Sequence, residues 1–256
     1  MMPPDLAAMD RALALGASVR ATTSPNPWVG CVIEPGGFAG ATSPPGGPHA
    51  EASALTAAGR QARGATLYCT LEPCAHQGRT PPCVDAIVAA GITRVVVGVQ
   101  DPDPQVRGAG VAALRQAGVE VEVGVREHDV RGSLAPYLKH RSTGRPWVVL
   151  KLASTLDGRT ASPDGSSRWI TGPEARADAH RLRAESDAVI VGAGTVRADD
   201  PALDVRHVSL RGPNAVTDRE PMRVVLGRGP VGDHDPTLVE VGGALGQVLY
   251  PLGSRG

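Results

Sequence analysis

Between His49 and Cys83 the chain places His49-Ala50-Glu51, then an apolar segment, then Glu72-Pro73-Cys74 and finally Pro81-Pro82-Cys83. If these side chains act together, the fold must bring distant backbone to one point. Ala50, Ala54, Leu55 and Ala58 favour a helix with His49 and Glu51 at its first turn. Thr66–Leu71 reads as a buried strand that delivers Cys74 at its carboxyl end. Pro81 and Pro82 suit the start of a helix over Cys83–Ala90, which Gly91 stops. Both cysteines are thereby expected near helix N-termini, where the backbone dipole favours thiolate. One imidazole and two thiolates fill three corners of a zinc tetrahedron. Structural zinc sites usually take four protein ligands and catalytic ones keep a corner open, so the ligand count favours chemistry.

The flanking residues complete an α/β unit. Asp5–Val19 carries Leu6, Met9, Ala12, Leu13 and Val19 near helical spacing, which predicts an amphipathic helix. Ser24-Pro25-Asn26-Pro27 ends it, and Trp28–Ile33 reads as a buried strand. The segment from Glu34 to Pro48 is rich in Gly and Pro and reads as a loop. Thr93–Val99 and Val119–Val125 are further strands, with a helix over Gly110–Ala117 between them. The result is a βαβ-type sheet faced by helices, a three-layer αβα domain over residues 1–130. The polar stretch 131–145, with Lys139, His140, Arg141 and Arg145, reads as a linker. A second domain over 146–256 then contains strands at Trp147–Ala153, Asp187–Gly192 and Met222–Leu226, weaker candidates at Thr237–Val241 and Gln247–Tyr250, and a helix at Pro173–Ala184.

Hydrolytic removal of an amine needs hydroxide at neutral pH and a group that carries a proton from water to the departing nitrogen. Zinc lowers the pKa of bound water from 15.7 to about 7. A His-x-Glu followed by Pro-Cys and a second Cys is the pattern of zinc-dependent nucleobase deaminases, in which the Glu moves protons and does not bind metal. His49, Cys74 and Cys83 are accordingly read as metal ligands and Glu51 as the catalytic residue. The competing reading is a zinc clip whose fourth ligand is His76. Cys31 and Cys69 lie inside strands and read as core packing. Eight residues separate Cys74 from Cys83, where the common deaminase pattern has two. Within that insert His76 and Arg79 offer the donors and charge that a phosphorylated substrate requires. Asn26, between two prolines, reads either as a substrate contact or as a turn residue bonded to its own backbone.

Three segments carry a resemblance: Ser24-Pro25-Asn26-Pro27, Gly47-Pro48-His49-Ala50-Glu51, and the run Thr70-Leu71-Glu72-Pro73-Cys74-Ala75-His76-Gln77-Gly78-Arg79-Thr80-Pro81-Pro82-Cys83. They resemble the deaminase domain of the bifunctional riboflavin-biosynthesis deaminase/reductase. That resemblance implies a cytidine-deaminase-like fold. It also implies 2,5-diamino-6-ribosylamino-4(3H)-pyrimidinone 5′-phosphate as substrate, with the amino group on ring carbon 2 lost as ammonia, and a substrate role for Asn26.

In the second half, Lys151, Ser154–Arg159, Ser167–Thr171 and Gly194–Pro201 resemble the reductase domain of the same family. The resemblance implies a dihydrofolate-reductase-like α/β fold that uses NADPH to reduce the product's ribose to ribityl. Carried onto matching positions, it assigns Ser167, Arg183, Leu203 and Arg206 to substrate and Ala153, Trp169, Thr195 and Asp199 to NADPH. Two arginines make physical sense as a phosphate clamp. After Tyr250 the chain ends with Pro251–Gly256, where the resemblance leads to the expectation of a further helix, a Glu-Gly-Gly turn and closing strands. The expectation is therefore a C-terminally truncated reductase domain, with deamination retained and reduction impaired or lost.

Basic and acidic residues balance at 26 each, and no basic stripe is present, which argues against nucleic acid as a partner. No run approaches the roughly 20 apolar residues of a membrane helix, and Met1–Arg20 lacks the features of a signal peptide. All four Cys fall in the first third, a poor arrangement for stapling the rest, and read as thiols in a reducing compartment. A cytoplasmic enzyme acting on a phosphorylated pyrimidine is expected, with no nucleic acid or membrane partner. An open sheet and two active sites favour a homo-oligomer. The alternatives are a cytidine or tRNA-adenosine deaminase and a non-catalytic zinc-stabilised interaction module.

Overall fold

The computed structural model describes residues 3–78, 81–104, 106–167, 169–206, 220–227, 240–241 and 247–248. The chain divides between Val149 and Leu150 into two compact units.

The first unit is built on a five-stranded mixed sheet. Its strands are β1 (Gly30–Glu34), β2 (Phe38–Ala41), β3 (Thr66–Leu71), β4 (Arg94–Val99) and β5 (Glu120–Val123), in the order β2-β1-β3-β4-β5. β1 runs antiparallel to both β2 and β3, whereas β3, β4 and β5 are parallel. Nearly every residue of β1, β3 and β4 is buried, so apolar side chains leave both faces of the sheet and both must be covered. The covering helices are α1 (Pro3–Ser18), α2 (Ala50–Ala58), α3 (Cys83–Ala89), α4 (Ala109–Gln116), α5 (Glu127–Ser133) and α6 (Ala135–Thr143). α1 touches α5 and α5 touches α6; α2 touches α3, which touches α4. The result is a three-layer αβα arrangement, as the sequence leads one to expect.

Small residues let α1 lie directly on β1. A Cβ built on Gly30 would sit 1.8 Å from the Ala12 carbonyl oxygen, a backbone atom that cannot swing away. Gly30→Ala is therefore expected to lower stability by about 3 kcal/mol, at the upper end for overpacked cores, measured as a shift of the urea midpoint at unchanged slope. On the same face Asp5, only 2 % exposed, binds Arg94 in a bidentate pair at 2.8 and 3.2 Å and accepts the Tyr68 hydroxyl at 2.8 Å. Arg94 reaches onward to Glu122 at 2.6 Å, so this buried carboxylate is paired on all sides.

Three expectations change. The Gly-rich segment 34–48 was expected as loop but contains β2, which forms a hairpin with β1 across Gly36 and Gly37, both at positive φ. The stretch 131–145, expected as a linker, is mostly helical: Val130 of α5, Leu138 of α6 and Leu134 at their junction, spaced four residues apart, are buried in the first unit's core. Trp147–Ala153, expected as a strand, belongs to no described ladder. Its Val148, Leu150 and Leu152 are exposed, because β-propensity without a paired neighbour does not make a sheet.

The second unit contains α7 (Pro173–Ala184), β6 (Ala188–Gly192), α8 (Ala193–Asp199) and β7 (Met222–Leu226). β6 and β7 pair in parallel, and Val196 and Ala193 of α8 pack on Val225 and Val191. The short pair β8 (Glu240–Val241) and β9 (Gln247–Val248) covers part of the two weaker strand candidates. No helix among the described residues is long and apolar enough to cross a membrane.

Candidate metal centre and active site

Each ligand candidate in the first unit is fixed by a different element. His49 is the N-cap residue of α2, with extended backbone (φ −71°, ψ 163°), so its ring projects ahead of the helix. Cys74 follows the end of β3 by three residues, and Cys83 is the first residue of α3. The His49 Nδ1, Cys74 Sγ and Cys83 Sγ atoms lie within 4.8 Å of one another. His49 Nδ1 is 3.7 Å from Cys74 Sγ and 3.3 Å from Cys83 Sγ. Backbone bonds lock the two cysteines together: the Cys83 N–H donates to Cys74 Sγ at 3.4 Å and the Val84 N–H donates to the Cys74 carbonyl at 3.2 Å. Cys74 thus receives the first-turn amide of α3, which is how the dipole reaches a residue outside the helix.

The electrostatics suit a cation. Hydrogen bonding from Cys83, against the opposing cost of burial, holds the Cys74 thiol well below the usual thiol range. Its neighbour moves the other way: the bond to the Cys74 thiolate, together with burial and Glu51, holds the Cys83 proton well above the usual thiol range. The bond to Cys74 also raises His49. Without metal the cluster therefore keeps protons that a metal must displace. Zinc binding at neutral pH is expected to release about one to two protons and to strengthen as pH rises, because deprotonation of Cys83 and His49 precedes coordination. Calorimetric titration in buffers of differing ionisation enthalpy measures that release.

Glu51 occupies the first turn of α2, two residues beyond His49, and is 4 % exposed. Burial pushes its carboxyl up to about 7, so it can hold or give up a proton near neutrality. One nitrogen and two sulfurs at this spacing fit tetrahedral zinc with one corner open. His76 is exposed and is not among the three converging ligand atoms. Cys31 and Cys69 are fully buried register partners on β1 and β3, and burial raises both thiols. Asn26 is half-buried, and its N–H donates to the Thr23 carbonyl at 2.8 Å, closing a turn. Arg79 lies outside the described residues.

In the second unit the structure gathers some candidates and leaves others apart. Arg183 of α7 donates to the Asp204 carbonyl at 3.2 Å, and Arg206 pairs with the Asp204 carboxylate at 2.9 Å. The Arg206 N–H donates to His180 Nδ1 at 3.1 Å, and the buried Leu203 between them has a left-handed φ of +52°. Thr195 and Asp199 share one face of α8, four residues apart. Ala153, Ser167 and Trp169 lie on 150–172, whose described residues form neither helix nor strand; the Arg176 guanidinium sits 4.3 Å from the Trp169 ring centre. Sequence reading missed His180 and Asp204, which hold the two arginines. A His three residues before Arg183 on a helix was the available signal.

Residues 2–99 match the cytidine and deoxycytidylate deaminase zinc-binding region, and residues 146–243 match the RibD C-terminal domain. The riboflavin biosynthesis protein RibD of Escherichia coli (strain K12) is 48% identical over 226 residues, which cover 85% of this chain and 62% of that protein. RibD of Mycobacterium tuberculosis is 45% identical, covering 86% of this chain and 65% of its relative. Among solved structures, Acinetobacter baumannii RibD superposes with a TM-score of 0.80 at 48% identity, over 89% of this chain and 65% of that one. The deaminase/reductase from Thermotoga maritima follows at 0.77 and 41%, over 88% and 63%. The chain thus spans less than two thirds of the length of these relatives. Its two domain types, in this order, are those of the RibD riboflavin biosynthesis proteins, which the chain resembles over 85–89% of its own length.

Proposed function

We propose that the first domain removes the ring amine of 2,5-diamino-6-ribosylamino-4(3H)-pyrimidinone 5′-phosphate by zinc-dependent hydrolysis. The observation that carries this reading is the convergence of His49, Cys74 and Cys83 with the buried Glu51 beside them. Bound zinc supplies a Lewis acid that makes water a nucleophile at neutral pH. Glu51 accepts the proton that water gives up as it attacks the amine-bearing ring carbon, then returns a proton to the departing nitrogen, which leaves as ammonia. A carboxyl poised at about 7 suits both halves of that cycle. His76 and Arg79, between the cysteines in sequence, and Asn26 are the proposed substrate contacts.

The second domain is proposed to hold the same phosphorylated sugar through Arg183 and Arg206, with Ser167 and Leu203. Ala153, Trp169, Thr195 and Asp199 would contact NADPH for reduction of the ribose to ribityl. His180 and Asp204 hold the two arginine-bearing segments together. The test is a substrate-depletion assay on the zinc-loaded chain with and without NADPH, followed by mass analysis of the products. Ammonia release and the deaminated pyrimidine are expected in both arms, and neither appearing would overturn the deaminase reading. With reduction expected to be impaired, ribityl product should appear in the NADPH arm alone and far more slowly than ammonia; reduction at a rate near that of deamination would overturn the impairment.

A further inference from the structure

We infer that Glu72 is a positioning residue for the metal centre, acting on the Cys74 ligand through the backbone of Pro73. This rests on the zinc-site reading above and extends it to a residue that touches neither metal nor substrate. Glu72 follows the last residue of β3 and is 4 % exposed. Its carboxylate accepts three backbone N–H groups: Oε2 those of Asp101 at 3.3 Å and Gly108 at 3.0 Å, and Oε1 that of Val111 at 3.0 Å. Its own N–H donates to the Val99 carbonyl at 3.0 Å.

These donors come from the loop after β4 and from the first turn of α4. Gly108, the N-cap residue of α4, has a left-handed φ of +79° and offers no side-chain cap, so Glu72 supplies from another element the acceptor that the helix start lacks. The same turn presses on the next peptide. A Cβ on Gly110 would lie 1.9 Å from the Pro73 carbonyl oxygen, so α4 and Pro73 meet backbone to backbone. The Glu72 side chain therefore holds α4 against Pro73, and Cys74 is the next residue. On its other side Cys74 is fixed by the amides of Cys83 and Val84. Cys74 is thus held from α4 through the Pro73 peptide and from α3 directly.

Both carboxylate oxygens are used as acceptors, so a Gln of the same shape must turn an amide N–H2 toward at least one backbone donor. The test compares the parent chain with Glu72→Gln, Glu72→Asp and the control Leu134→Ala, whose side chain is buried in the core among residues of α5 and α6. Zinc affinity is measured by competition with a chromogenic chelator. Ligand geometry is read from the visible absorption bands of the cobalt(II)-loaded protein, and folding from thermal unfolding of the metal-free forms.

Glu72→Gln and Glu72→Asp are expected to weaken zinc binding about 10-fold or more, the range for residues behind the ligands, and to shift the cobalt bands. Leu134→Ala is expected to lower the melting temperature while leaving affinity and bands as in the parent. Parent-like affinity and bands in both Glu72 variants would overturn the inference, as would a control that moves them equally. If neither Glu72 variant folds, the residue is a requirement of the fold and the inference also fails. A parent chain that binds no zinc would instead bring down the zinc-site reading itself.

Discussion

Glu51→Gln is expected to keep one zinc per chain and to slow ammonia release from the pyrimidine by about 100- to 10,000-fold, the contribution of a positioned general acid–base. The substitution preserves size and shape in a site where Glu51 is 4 % exposed, so packing is little altered. What it removes is the exchangeable proton. Burial holds the Glu51 carboxyl near 7, and a neutral amide neither accepts the proton from water nor returns it to the leaving nitrogen. Zinc content by atomic absorption and ammonia release in a coupled assay are the paired readouts. If zinc is lost with the carboxylate, Glu51 is a ligand and the proton-transfer role is wrong.

Cys74→Ala has the largest expected effect on metal. It deletes one of three ligand atoms and the acceptor of the Cys83 N–H. Since losing a partner behind the ligands already costs 10- to 100-fold, losing a ligand should cost more than about 100-fold in zinc affinity, and deamination should fall with it. The domain should stay folded, because its core is the apolar sheet and helices around Val95, Val96, Val97, Leu67 and Ile33, all essentially inaccessible to solvent. Far-UV circular dichroism of the zinc-free variant checks this. A zinc-stabilised interaction module predicts the opposite, since structural zinc contributes folding energy outright.

The legible parts of this chain were those with a local physical signature. Uninterrupted apolar runs marked β1, β3 and β4, within a residue or two at most ends. Pro82 before Cys83 and the His-Ala-Glu turn marked the starts of α3 and α2. The misread parts depend on partners that a linear reading does not supply. β2 exists because β1 pairs with it, although its Phe-Ala-Gly-Ala sequence has weak strand propensity. α5 and α6 looked like a linker because their exposed faces are charged, yet Val130, Leu134 and Leu138 repeat every fourth residue. Glu72 stood in the quoted motif with no role, since its three backbone partners lie 29 to 39 positions away. His180 stood three residues before Arg183 on α7, a signal that gained meaning only with Asp204 and Arg206 placed beside it.

The two cysteines are anchored on different elements, Cys74 just after a strand and Cys83 at the start of a helix, and are tied by the Cys83 N–H to the Cys74 Sγ and the Val84 N–H to the Cys74 carbonyl. The three ligand atoms are thus fixed by the ends of regular elements, whereas His76, a proposed substrate contact, lies exposed in the connection between the two cysteines, outside the elements that hold the ligands.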